Sequence, residues 1–80
     1  MDSSIQKKVD IYVRLISEGT EVFRPTKSLD LGNGIFKLEA TIDYDPEEEI
    51  WEFVPGSEVK GEFRPFESGQ FLVAMSAKEP

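Results

Sequence analysis

The 80-residue chain contains neither cysteine nor histidine. Without cysteine it can form no disulfide and no thiolate metal site. Without histidine it has no imidazole ligand and no side chain that ordinarily changes charge near neutral pH. Nucleophilic catalysis of the Ser-His-Asp or Cys-His type is therefore excluded. We predict that the protein is not an enzyme and that it uses no cofactor and no metal centre.

Long apolar runs are also missing. Residues 1–8 lack the apolar core of a signal peptide, and no stretch of the chain is long enough to span a bilayer. The length suits one small domain, which we place at residues 9–76 between flexible ends at 1–8 and 77–80. These features predict a cytoplasmic protein with no membrane partner, and no small-molecule substrate is evident.

Positive charge is scarce, and the deficit is local. The net charge is −7, from 16 acidic and 9 basic side chains. Residues 39–62 hold nine of the acidic side chains and one basic side chain, so this segment carries −8 and the remainder +1. Such a surface repels phosphate backbones and anionic lipids. It suits a basic protein partner, or it serves solubility alone.

The chain does have a series of short β-prone segments separated by turn residues. Residues 9–17 alternate apolar and polar side chains with the period of two that is typical of a strand. Turns are predicted at Glu18-Gly19, Gly32-Asn33-Gly34 and Pro55-Gly56-Ser57. The remaining strands are predicted over residues 20–24, 35–42, 50–54, 58–64 and 71–76, with 26–31 undecided. Pro25 is expected to end a strand or to mark an edge.

Five or six short strands joined by tight turns predict an all-β meander that closes into a small SH3-like barrel, because closure removes exposed strand edges. An OB-like barrel is the alternative, although OB folds usually carry a helix before the fourth strand. Gly61 is expected to mark a bulge or a sharp bend. The predicted inward-facing residues are Val9, Ile11, Val13, Leu15, Phe36, Leu38, Ala40, Trp51, Phe53, Val59, Phe63, Phe71, Val73 and Met75. Apolar residues left without an inner position are Tyr12, Ile16, Phe23, Ile35, Ile50, Val54 and Leu72.

Residues 43–49 form an acidic loop in which one helical turn can begin at Pro46 with Asp45 as its N-cap. The alternating carboxylates of Asp43, Asp45 and Glu47 are similar to an oxygen-rich calcium loop. Glu48, however, occupies the position where an EF-hand needs glycine. Acid–base catalysis would need one of these carboxyl groups to be buried, and a run this dense is typical of a solvated face.

Several strings resemble a group of short bacterial proteins of uncharacterised function. They are Glu18-Gly19-Thr20, Phe23-Arg24-Pro25, the acidic turn at 43–49, Trp51-Glu52-Phe53 and Pro55-Gly56-Ser57. The resemblance covers about residues 10 to 75 and implies a compact bacterial β domain that is barrel-like. It implies no activity, ligand or catalytic residue. The passage from strand through Pro-Gly-Ser to strand is also similar to SH3-like barrels in general.

The leading functional hypothesis is a small non-enzymatic module that binds a protein partner, or a second copy of itself. It would use the acidic loop as an electrostatic handle and an exposed apolar patch as the contact surface. The candidate binding residues are Tyr12, Arg14, Phe23, Arg24, Tyr44, Glu47, Glu48, Glu49, Ile50 and Val54.

The alternative hypothesis is a nucleic-acid-binding barrel. It needs basic side chains interleaved with exposed aromatic rings on one side of the barrel, and the net charge disfavours it. The basic candidates are Arg14, Arg24, Lys27, Lys37 and Arg64, near Tyr12 or Phe23. Weak calcium binding or a minor enzymatic role is the third hypothesis.

Overall fold

A computed structural model describes residues 8–16 and 19–78. Consecutive strands pair around a closed barrel, which confirms the predicted all-β barrel. The strands are β1 (Lys8–Leu15), β2 (Val22–Gly32), β3 (Ile35–Leu38), β4 (Glu58–Phe66) and β5 (Gly69–Ala77). Most of the ends predicted to be flexible, and Glu18 of the first predicted turn, lie outside the described residues. Within those residues, no helix has the length and apolarity needed to cross a membrane.

The barrel closes through one parallel pair. Each strand runs antiparallel to the next, so a ring with an odd number of strands must contain one parallel contact. That contact joins β1 to β5 at Tyr12 and Val73 alone. The sequential strand order has no Greek-key connection, which the OB alternative requires.

Strand β2 is longer than predicted and runs through Pro25. It pairs with β1 over eight positions, from Lys8 opposite Leu29 to Leu15 opposite Val22. Pro25 lies opposite Tyr12. The Arg14 carbonyl, two residues further along β1, bonds Glu52 on the side away from β2, and the backbone groups of Tyr12 share that orientation because residues two apart on a strand point the same way. The Tyr12–Pro25 pair is therefore one of the non-hydrogen-bonded pairs of the ladder, where the missing N–H of proline costs no bond.

Two turns have the geometry that their residues predict. Asn33 and Gly34 adopt φ angles of 57° and 77°, and Gly32 pairs with Ile35, as in a two-residue hairpin turn of type I′. In the Pro55-Gly56-Ser57 turn, glycine has a φ of 92° and the Ser57 N–H bonds the Val54 carbonyl at 3.1 Å. These angles explain why glycine stands at both places.

The predicted strands at 35–42 and 50–54 were wrong in extent. Strand β3 ends at Leu38, whose N–H donates to the Ser57 carbonyl at 2.9 Å and whose carbonyl accepts from the Gly56 N–H at 2.8 Å. Residues 50–54 form a single bridge, between Trp51 and Leu15. A long connection thus folds back over one end of the barrel and places Trp51 in its core.

The predicted inner face of β5 was wrong in part: Val73 is buried as predicted, whereas Phe71 and Met75 are only half-buried. Gly61 pairs with Ala74, and Lys60, the residue before Gly61, pairs with Ser76, so Met75 is an extra residue on β5. A bulge of this kind shifts which side chains face inward. Leu72 and Ala74 therefore enter the core, whereas Phe71 and Met75 lie half-buried outside it.

The bulge predicted near Gly61 is confirmed. Glycine is required at this position for a steric reason. A Cβ at Gly61 would lie 2.9 Å from two ring carbons of Phe36 and 3.1 Å from Leu72 Cδ1. Beyond this point the β4–β5 hairpin leaves the core, so Phe63 is 65% exposed instead of buried. Ala40 is exposed because it follows the end of β3. The core consists of Ile11, Val13, Leu15, Phe36, Leu38, Trp51, Val59, Leu72 and Ala74.

Candidate functional site

The ten candidate binding residues lie in three places. One group is on the outer face of β1 and β2, a second holds the acidic loop against the barrel, and a third is exposed on the long connection between β3 and β4. The first group is Tyr12, Arg14 and Phe23. The second is Arg24, Tyr44 and Glu49. The third is Glu47, Glu48, Ile50 and Val54.

Arg24 ties the acidic loop to β2. Its Nε donates to Glu49 Oε1 at 3.2 Å, and its Nη2 lies 2.9 Å from Glu49 Oε2. The same Nη2 lies 3.2 Å from both carboxylate oxygens of Asp43. Planar, two-point contacts of this kind are the strong form of an Arg–carboxylate interaction. The positive charge of Arg24 is therefore neutralised by two carboxylates of the same chain.

Glu49 links this network to the core. Its Oε1 also accepts a hydrogen bond from Trp51 Nε1 at 3.0 Å, and its side chain is only 23% exposed. Tyr44 packs edge-on against the Trp51 ring, with centroids 4.9 Å apart. Two of the candidate binding residues, Tyr44 and Glu49, thus hold the loop in place.

The single helical turn predicted at Pro46 is confirmed. The Glu47 N–H donates to Asp45 Oδ1 at 2.9 Å, as expected of an N-cap. The Asp45 carbonyl accepts from the backbone N–H of Glu49 at 2.9 Å, which closes the turn. Glu48 is exposed on it.

Asp43 keeps its charge in this setting. The Thr41 hydroxyl, the backbone N–H of Asp43 and the Arg24 guanidinium together lower the pKa of the Asp43 carboxyl below its ordinary value. Asp43 and Asp45, two of the three carboxylates in the calcium hypothesis, thus already have partners within the chain. Over residues 8–16 and 19–78, no three potential metal ligands of the His, Cys, Asp and Glu types converge.

A continuous row of aromatic rings lies on the outer face of the barrel. Tyr12 and Phe71 have centroids 5.3 Å apart, Phe71 and Phe66 5.6 Å, and Phe66 and Phe23 5.7 Å. Tyr12 points outward because Ile11 and Val13, its neighbours on β1, point inward. The row therefore joins β1 and β2 to the far end of the β4–β5 hairpin.

Beside these rings is a groove of about 350 Å³, which we call the aromatic groove. Apolar side chains from β2, β4 and β5 form part of its walls. Charged side chains come from β1, from β4, from the loop between β1 and β2 and from the connection between β3 and β4. The lining includes Phe23, Phe66, Val73, Met75, Arg14 and Arg64, together with Glu21 and Glu52. A space of this size accommodates one or two large side chains.

The groove lies where β1 changes its backbone partner. At Tyr12, β1 pairs with β5. Two residues later the Arg14 carbonyl accepts from the Glu52 N–H at 2.8 Å, and the Ile16 N–H donates to the Ile50 carbonyl at 2.8 Å. The connection thus replaces β5 beside β1, and Glu52 and Met75 both line the groove formed there.

The sequence predicted Arg14 and Phe23 of the groove lining and Tyr12 of the ring row, but it missed the β4–β5 side of the groove. The predicted strands stop at residue 64 and resume at 71, yet Phe66 lies in β4 and pairs with Gly69 across a two-residue turn, and Gly69 has a φ of 133°. The Ser68-Gly69 pair was the available signal, because a tight turn there extends both strands and places Phe66 beside Phe71. The bulge at Met75 had no comparable local signal.

Comparison with protein-family models, with curated proteins and with solved structures finds no match to this chain. The resemblance to short bacterial proteins therefore stays a prediction. The candidate site rests on its own geometry.

Proposed function

We propose that the protein is a non-enzymatic interaction module that binds a segment of a partner protein in the aromatic groove. The observation that carries the proposal is the continuous row of four aromatic rings beside an open groove on the outer face of the barrel. Aromatic side chains, Met and Arg are the residue types enriched in the centres of protein interfaces. They also supply large contact areas with few rotatable bonds.

The acidic loop has a secondary part in this proposal. Arg24, Tyr44 and Glu49 hold the loop, so the side chains left to meet a partner there are the exposed Glu47 and Glu48. Exposed charges of this kind change association rates more than affinity. Ile50 and Val54, 47% and 54% exposed, lie on the same connection and outside the groove lining.

A displayed random-peptide library, with the protein as bait, tests the proposal. Peptides selected by the wild type should lose about tenfold or more in affinity for Phe66→Ser, the scale for truncating an interface anchor. Phe63→Ser is the matched control, because Phe63 lies on the opposite face of the same hairpin and is even more exposed, 65% against 39%. Equal losses in the two variants, or no enrichment at all, would contradict the proposal.

A second copy of the chain is the other candidate occupant of the groove. Light scattering distinguishes self-association from the binding of a partner segment. If the wild type is a dimer and Phe66→Ser is a monomer, the occupant of the groove is a second copy of the chain. A monomeric wild type leaves the partner proposal in place. The SH3-like assignment, the bacterial origin and the cytoplasmic location stay predictions from the sequence.

Nucleic-acid binding is the weaker alternative. Of the eight basic side chains that the structure describes, five form ion pairs with the chain's own carboxylates: Lys8, Arg14, Arg24, Lys27 and Lys78. Three of the five basic candidates for a nucleic-acid surface are in that set. A phosphate backbone would have to compete with these pairs and with the net charge of −7. Failure to bind single-stranded RNA at low salt would remove this alternative.

A further inference from the structure

Arg64 is the basic side chain of the aromatic groove that has no carboxylate partner among the described residues. Its Nη1 donates to the Met75 Sδ at 3.7 Å, and a thioether is a weak acceptor. By contrast, the Arg14 Nε lies 3.5 Å from Glu52 Oε1. Glu21, the other carboxylate of the lining, forms no ion pair with Arg64. The exposed Arg64 guanidinium, with its fork of N–H donors, therefore lies in a groove of apolar and charged side chains without a carboxylate partner among the described residues.

The groove lining is also less acidic than the protein as a whole. The net charge of the protein is −7, but the groove lining holds two arginines and two glutamates. One arginine and one glutamate of that set are paired with each other. A carboxylate brought to Arg64 thus gains a charge-assisted hydrogen bond, and Glu21 is the one carboxylate of the lining that has no ion pair within the described part of the chain.

The spacing of Arg64 and Phe66 defines the ligand further. They stand two residues apart on β4 and both line the groove, so their Cα atoms are separated by roughly 6.6 Å, twice the rise of a strand residue. An extended peptide presents its own side chains at i and i+2 on one face with the same spacing. A large apolar side chain beside Phe66 and a carboxylate beside Arg64 would therefore come from positions separated by one residue.

We infer that the aromatic groove recognises an extended partner segment in which a large apolar side chain and an Asp or Glu are separated by one residue, with Arg64 binding the carboxylate. The inference rests on the proposed function. A side-chain carboxylate fits better than a chain terminus, because terminal carboxylates are held by clusters of backbone N–H groups. The residue after Arg64 is Pro65, which has no N–H to offer.

Three capped peptides test this inference by NMR titration of the ¹⁵N-labelled protein. They are Ac-Ala-Asp-Ala-Phe-Ala-Asp-Ala-NH2 and the same peptide with Asn or with Lys in place of both Asp residues; the symmetric design allows either chain direction. The Asp peptide should shift the amides of Phe66 and Met75 and bind about threefold to fivefold more tightly than the Asn peptide, as expected of an exposed ion pair. The Lys peptide should bind most weakly.

Arg64→Gln should abolish the difference in affinity between the Asp and Asn peptides. Arg64→Lys, which keeps the charge but loses the fork, should retain part of the difference, and it serves if the Gln variant does not fold. Equal binding of the Asp and Asn peptides, with groove amides shifted by both, would overturn the carboxylate inference and leave the proposed function standing. Absence of groove shifts with all three peptides would overturn both.

Discussion

The acidic loop and the aromatic groove are built in opposite ways from similar side chains. At the loop, Arg24 of β2 forms ion pairs with Asp43 and Glu49, and the Trp51 ring is buried next to them. In the groove, Arg64 donates a hydrogen bond only to the Met75 thioether among the described side chains, and the rings of Phe23 and Phe66 line an open surface. The dense acidic run of the sequence therefore forms a structural element, while the groove with the exposed Arg64 is built from segments of ordinary composition.

The largest effect is expected at the anchor of the loop. Trp51 is 3% exposed, so Trp51→Ala removes a buried ring and should lower the free energy of unfolding by about 3–5 kcal/mol. Urea denaturation followed by circular dichroism measures this. A loss below about 1 kcal/mol, the scale of a surface substitution, would mean that the connection is not anchored in the core.

The next effect is expected at Glu49, where the network meets the core. Glu49→Ala leaves the Arg24 guanidinium and the Trp51 indole N–H without their shared acceptor, which should cost about 1–3 kcal/mol. Glu48→Ala, one residue away and exposed, is the matched control and should stay within about 0.5 kcal/mol. Similar losses of unfolding free energy in the two variants would contradict a structural role that is specific to Glu49.

A smaller stability effect is expected in the groove. Phe66→Ser removes two ring contacts, with Phe23 and with Phe71, each worth about 0.5–1.5 kcal/mol at most for a partly exposed pair. The variant should therefore stay folded by circular dichroism while it loses peptide binding. Global unfolding of Phe66→Ser would show instead that the ring row is part of the core.

The smallest effect is a pH dependence at Asp43. Its pKa is lower in the native state than in the unfolded chain, so its stabilising contribution is fully present above the ordinary value of 3.8. The contribution is lost as the pH falls through the lower native value. Unfolding measured between about pH 2 and 6 should show a stability difference between wild type and Asp43→Asn that shrinks toward the acid end. A difference that grows toward low pH would contradict the lowered pKa.

Local signals in the sequence predicted the local structure well. The alternation of β1, the turn at Asn33-Gly34 and the capped turn at Asp45 depend on neighbouring residues alone, and the structure confirms all three. The extent of the strand predicted at 50–54 was wrong because its pairing is decided elsewhere, where β4 takes the place beside β3.

The candidate site was only partly predictable for the same reason. The alternation of residues 9–17 placed Tyr12 outside the barrel, and Phe23 was among the apolar residues left without an inner position. Their companions on β5 could not, because the extra residue at Met75 depends on how β5 pairs with β4. The groove itself forms where β1 changes partner from β5 to residues 50–52, an event that no single segment encodes.

The most direct test is a map of the backbone amides that shift when a library-selected peptide binds. If the groove is the binding surface and the loop is structural, the amides of Phe23, Phe66 and Met75 should move in a saturable way while those of Glu47 and Glu48 stay in place. Saturable shifts centred on Glu47 and Glu48, with the groove amides unmoved, would reverse the roles assigned to the two regions.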